Sequence, residues 1–328
     1  MRFLVWITAI CAALYAGYWV VGSRAVLQGA ESALAEMKAG GRADYSAVSL
    51  QGFPSRFDLT IEAPQLVSAD GYSQWQADFL QLLALSYRPN HLMAIFPPRQ
   101  TLRAGYEEIA LANSDLRASI ALAASTDLAL DHAEVEGHDL DLSSNFGWQL
   151  LAEKLVLASR RADGSGTTHE IALKVTGLAP GDQFRQLIDP QHRHPSVAST
   201  ASAGMIASFD APLDRRLAEA PVRLRALRDI GVTLSWGTMQ LTASGAVEID
   251  SAGLPVGRID LVGDDWRAIF ALLRDGGVFD PQLAPGFENG LAEIAKADGT
   301  PDQLKLPLIF ENGGVWLGPL PLGPAPRF

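Results

Sequence analysis

The sequence predicts a mainly β protein of the α+β kind. An N-terminal transmembrane helix is followed by long antiparallel meander sheets forming a curved groove, with a few packed amphipathic helices. Three observations predict this. Phe3 to Val21 is nineteen residues long and uncharged. At about 1.5 Å per helical residue it spans roughly 28 Å, close to the ~30 Å hydrocarbon core of a bilayer. From Tyr45 to about Val175, apolar and polar residues alternate, the period of strands with one dry and one wet face. Gly, Pro, Asn and Asp separate these runs at short intervals, so neighbouring strands pair as a meander rather than through crossovers.

The anchor comes first, residues 1–24. Tyr15, Tyr18 and Trp19 gather near its far end, where amphipathic rings favour the water interface, and Arg2 and Arg24 flank it. A cleaved signal peptide has a shorter apolar core and small residues at its end; Tyr18, Trp19 and Val20 stand there instead. The bulky Ile10 before Cys11 does not suit lipoprotein processing. Residues 25–42 continue as a stalk helix, with Leu27, Ala30, Leu34 and Met37 at helical spacing and Gly40-Gly41 as its stop. A short tail before one apolar helix is an export layout. The expectation is a single-pass protein held in the inner membrane through residues 3–21, with its body in the periplasm.

Residues 43–190 read as a first, β-rich lobe. Phe57, Leu59 and Ile61 alternate with Asp58, Thr60 and Glu62. Trp75, Ala77 and Phe79 form another set, as do Leu116, Ala118, Ile120 and Leu122, and then Leu128 and Leu130. Arg88-Pro89-Asn90-His91 and Phe96-Pro97-Pro98 read as turns. Asp182 to Ile188 reads as one short helix. The small, polar run from His192 to Gly204 reads as a loop, within a linker over 191–204.

Residues 205–328 read as an α+β second lobe. Leu213, Leu217, Leu224 and Leu227 suggest a helix interrupted by Pro221. Val232 to Gly263 reads as three or four strands. Asp264 is placed as the cap of a helix with the stripe Trp266, Ile269, Phe270 and Leu273, ended by Gly276. Phe287, Leu291, Ile294 and Ala295 form a second stripe. At the end, Leu304, Leu306, Leu308 and Phe310 alternate into an Asn312-Gly313 hairpin turn. Pro307, Pro319 and Pro321 cannot donate to a ladder, so this hairpin belongs at a sheet edge.

Composition bounds the function. The 328 residues carry a formal net charge of −11 and contain no Lys/Arg-rich run, which excludes nucleic acid as a natural partner. The one cysteine, Cys11, lies in the anchor, so the body has neither disulfide nor thiolate site.

Several blocks carry a resemblance: Gln51 to Leu66, Trp75 to Leu92, Ala243 to Leu261 and the Phe310 to Gly323 hairpin, together with the anchor. They resemble an uncharacterised alphaproteobacterial family of membrane-anchored envelope proteins, a domain of unknown function. The Gly-Phe-Pro strand entry and the Asn-Gly…Leu-Gly-Pro-Leu-Pro ending are distantly similar to AsmA-like proteins, whose β-rich grooves are thought to carry or shield lipid. The resemblance supplies no catalytic residue.

The residues supply none either. There is no Gly-x-Ser-x-Gly elbow, phosphate-cradling Gly loop or His-Glu-x-x-His. No enzyme, metal or cofactor is predicted. Asp131 to Leu142 is dense in His, Asp and Glu, but its spacing fits no metal site, and alternation places the carboxylates on a wet strand face. Arg215, Arg216, Arg223, Arg225 and Arg228 are candidate contacts for anionic headgroups, although Asp214, Glu219 and Asp229 beside them also fit a solvated helix. Trp236, Trp266 and Trp316 read as core aromatics. Trp75, Phe79, Ile120, Leu122 and Leu128 are the expected groove lining. The expected function is binding of lipid or another amphipathic envelope component; the alternative is a scaffold that docks another envelope protein.

Overall fold

The computed structural model describes residues 2–218, 222–277 and 282–328. α1 (Arg2–Ala39) is one unbroken helix through anchor and stalk, and it is long and apolar enough to cross a membrane. It stops where Gly41 takes a positive φ of 68°.

Among the described residues, twenty strand segments follow in one antiparallel sheet that does not close. The first ten are β1 (Ala43–Asp44), β2 (Ala47–Gln51), β3 (Arg56–Glu62), β4 (Gln65–Val67), β5 (Ser73–Ala77), β6 (Phe79–Leu85), β7 (Arg88–Ile95), β8 (Arg99–Ala104), β9 (Glu107–Ala112) and β10 (Asp115–Leu122). They are halves of bent rows. β1 and β2 pair with β4 and β3, these with β5 and β6, these with β8 and β7, and these with β9 and β10. The creases fall at Ala63-Pro64, Asp78, Phe96-Pro97-Pro98 and Asn113-Ser114. Prolines cannot donate to the ladder, and Ala63 sits at a positive φ of 47°. β11 (Leu130–Ser144) receives both halves of the last bent row, with Asp139 at φ 48° between them.

The remaining rows are β12 (Gln149–Arg161), β13 (Thr168–Pro180), β14 (Ala198–Phe209), β15 (Leu224–Trp236), β16 (Met239–Ile249), β17 (Pro255–Asp264), β18 (Gln303–Glu311), β19 (Gly314–Leu317) and β20 (Leu320–Pro324). Each pairs with the next in chain order, so the expected meander runs from end to end. α2 (Asp182–Ile188) interrupts between β13 and β14; α3 (Trp266–Asp275) and α4 (Ala284–Ala297) lie between β17 and β18.

Several local expectations are corrected. Residues 198–204 are strand rather than linker, because small Ala, Ser and Thr side chains fit between two ladder neighbours; the loop itself is 191–197. Arg88 to His91 opens β7 instead of turning. The ladder is irregular there, and Asn90 Nδ2 donates to the Leu122 carbonyl at 2.8 Å. The helix expected across Leu213 to Leu227 is a 3-10 turn, Arg215–Ala218, followed by β15. Glu219 and Pro221 lie outside the described residues. The cap of α3 is Asp265 at φ 53°, while Asp264 ends β17 and accepts from Gln303 Nε2 at 2.8 Å. The terminal hairpin turns through Asn312 and Gly313 at φ 52° and 73° and lies at the edge, where β20 is the last row.

Candidate ligand groove

Register turns the alternating strands into one continuous surface. Leu50, Leu59, Leu82, Ala94, Ala118 and Val135 stand directly opposite one another in successive rows. The line continues through Leu157, Leu173, Ala203, Val232, Ala243, Leu261 and Leu306. Every member is apolar from β2 to β18. A second line runs beside it through Leu116, Gly137, Leu155, Val175, Ala201, Leu234, Leu241, Gly263 and Leu304. Directly opposed side chains are the unit of sheet packing, so these lines form a single apolar band. Successive side chains alternate faces, and the other face carries the ion pairs of Glu136 with Lys154 at 2.6 Å and Arg117 at 3.1 Å.

Helices cover parts of this band. α1 packs on β1, β2 and β3, where Phe57, Leu59 and Ile61 are buried. α3 packs on β16 and α4 on β18, and α2 meets β12. Trp266, Phe270, Ala284 and Ala295 form a core between α3 and α4. Beneath it lies an apolar cavity of about 220 Å³ between Leu241, Leu261, Leu304 and Leu306 of the sheet and Ile269, Phe270, Leu273 and Leu291 of the helices. That is smaller than the ~300–1,000 Å³ of a drug-sized pocket. Both apolar lines run into it. Between the two roofs the band is half open, with Ile120 40% and Leu157 39% exposed.

The predicted lining residues are only partly brought together. Ile120 lies on the band, opposite Leu92 and Ala133. Trp75 lies beyond the crease, its ring edge-on to Phe96 at 6.0 Å and its Nε1 donating to Gln100 at 3.0 Å. Phe79 pairs with Glu62 and, by alternation, shares a face with Gln81 and Leu83 rather than with Leu82. Leu122 follows a bulge at the end of β10, opposite Leu130. Leu128 is not in a strand: it sits in the loop before β11 at φ 52°. Sequence reading missed the roofed cavity, although the stripes of α3 and α4 signalled two helices needing one apolar surface.

The five arginines do not form one cluster. Arg215 and Arg216 are on the 3-10 turn, and Arg216 Nε holds both oxygens of Asp214 at 3.0 and 2.9 Å. Arg223 precedes β15, its N–H donating to Asp210. Arg225 lies 3.6 Å from Asp210, and Arg228 pairs with Glu248 on the polar side at 3.2 Å.

Within Asp131 to Leu142, the carboxylate of Glu136 is engaged by Lys154, His138 and Arg117. The Lys154 hydrogen bond, then that of His138, lowers its pKa to about 2. Among the described residues, no three His, Cys, Asp or Glu gather to hold a metal. Trp266 is a core residue, but Trp316 is 38% exposed in the last rows.

Residues 19–326 match the model of a family described as an uncharacterized protein conserved in bacteria, DUF2125. The chain belongs to this family. No curated protein and no solved structure matches it. In this DUF2125 chain the match begins at Trp19, inside α1, and so takes in the helix end that packs on the sheet.

Proposed function

We propose that this chain is a membrane-tethered β-groove protein, anchored in the inner membrane with its body in the periplasm, that binds lipid or another amphipathic envelope component. The observation that carries the reading is the apolar band, aligned in register from β2 to β18, covered by α1 over its first rows and by α3 and α4 over its last, and touched by α2 at β12 between them. An exposed apolar strip of this length is costly in water unless something covers it. The cavity under α3 and α4 gives a chain end a place to stop. Distant similarity to AsmA-like proteins belongs to this proposal and rests on the Gly-Phe-Pro strand entry and the Asn-Gly…Leu-Gly-Pro-Leu-Pro ending.

The test is native mass spectrometry of the full chain extracted in mild detergent, followed by exchange with labelled phospholipid. Co-purifying lipid, reduced by Leu157→Glu and Val232→Glu, is the expected result. A bare spectrum that takes up no labelled lipid overturns the reading. If one protein then crosslinks stoichiometrically to the band, the face is a docking site for that protein.

A further inference from the structure

The first turns of the sheet are bound to the apolar part of α1. Tyr15 Oη lies 3.2 Å from Ser86 Oγ, and Tyr18 Oη donates to the Ser86 carbonyl at 2.7 Å. Trp19 Nε1 donates to the Arg56 carbonyl at 2.8 Å, with its ring edge-on to Phe53 at 5.3 Å. The two turns are tied together, because Ser86 N donates to the Ser55 carbonyl at 2.9 Å. All three helix residues belong to the uncharged stretch Phe3–Val21. Tyr15 stands about 9 Å of helix rise before the end of that stretch. After Ala39 the chain reverses, and β1 and β2 run back along α1 toward these turns. The turns are therefore the part of the sheet nearest the bilayer that α1 is built to cross.

Their side chains suit that depth. Phe53 is 59% and Tyr87 63% exposed, and Arg56 and Arg88 beside them are exposed as well. Aromatic rings with basic neighbours are the composition of a membrane–water interface, where the rings sit at headgroup level and the guanidinium groups reach the phosphates.

We propose that the turns at 52–55 and 86–87 are seated in the headgroup layer of the membrane that α1 crosses, with the Phe53 and Tyr87 rings among lipid. The row Ala84, Leu92, Ile120, which continues from the covered Phe57 on the apolar face, then opens toward the bilayer surface. The inference rests on α1 crossing the membrane and is independent of whether the band carries lipid.

Tyr72 supplies a matched control. It is also 63% exposed, but it lies in the turn between β4 and β5 at the far end of the same rows. The unsubstituted full chain is reconstituted in phosphatidylcholine and phosphatidylglycerol vesicles and footprinted with hydroxyl radicals generated in the water. Tyr87 and Phe53 are expected to be oxidised several-fold more slowly than Tyr72, whereas a lipid-soluble carbene reagent labels Tyr87 and spares Tyr72. Equal oxidation of Tyr72 and Tyr87, with no carbene label at 87, overturns the proposal. Native mass spectrometry is unaffected by either result, so a failure here is distinguishable from a failure of the lipid-binding reading.

Discussion

Two parts of the apolar face are built from the same residue types in the same register and end differently. Under α1, Phe57 is 5%, Leu59 7% and Ile61 5% exposed. In the middle rows Ile120 and Leu157 remain 40% and 39% exposed. The strand pattern is identical, so the difference lies in what packs on top. A covered stretch of an alternating sheet is core, and an uncovered one is a surface available to a ligand.

The largest expected difference between the two regions comes from truncating one residue in each. Phe57→Ala removes a ring from beneath Trp19, whose centroid lies 6.2 Å away. It should destabilise by about 3–5 kcal/mol, the usual cost of a buried Phe→Ala. Ile120→Ala in the open rows should cost about 1 kcal/mol, because much of its surface is already in contact with solvent. Chemical denaturation in detergent reads both; equal losses would mean that the face is not divided as described.

The two sheet edges differ as well. The first rows are shielded by α1, whereas β20, against which no helix of the described residues packs closely, relies on Pro321, Pro324 and a tight preceding hairpin. Gly313 holds φ 73° in that hairpin. Gly313→Val should cost about 1–3 kcal/mol, because a β-branched residue resists the left-handed region. Unchanged melting would make the hairpin an appendage.

The two faces also differ in acid. On the polar face Glu136 is held at about 2 by Lys154 and then His138. Its contribution is present above the unfolded value of ~4.3 and is lost as pH falls through about 2. His169 is fully buried, opposite Ala207, with Nε2 unbonded. Burial lowers its pKa. The unfolded chain therefore takes up a proton near ~6.5 while the folded chain does not, and stability falls as pH drops below that value. His169→Leu should flatten the upper step of a pH-dependent urea midpoint and Glu136→Gln the lower one. A single unchanged step in both variants would contradict the assignment.

Much of the architecture is legible locally. Nineteen uncharged residues announce α1, and Asp58, Thr60 and Glu62 between Phe57, Leu59 and Ile61 announce a one-sided strand. What escapes is set by partners distant in sequence. Ala201 and Ala203 look like linker residues until Val175 and Leu173 stand opposite them. Arg225 and Arg228 fit a helical period as well as a strand, and the ladder with β14 and β16 decides. Phe79 alternates correctly with Trp75 on paper, but the crease at Asp78 falls between them and resets the face. The cavity under α3 required knowing that two apolar lines converge on β16 to β18.

The smallest expected change in stability is the most informative about the open rows. Leu157 stands between Val135 and Leu173 on the main apolar line. Leu157→Ser keeps the strand, since Ser is tolerated in a ladder and no roof collapses onto the site. With the side chain already 39% exposed, the lost burial is worth about 1 kcal/mol. Lipid retained by the full chain should nevertheless fall clearly, because a hydroxyl would interrupt a line otherwise free of polar groups. If the variant instead loses as much stability as Phe57→Ala, the middle rows are covered in the native protein. If stability and lipid content both hold, the β12 row is not part of the proposed lipid path.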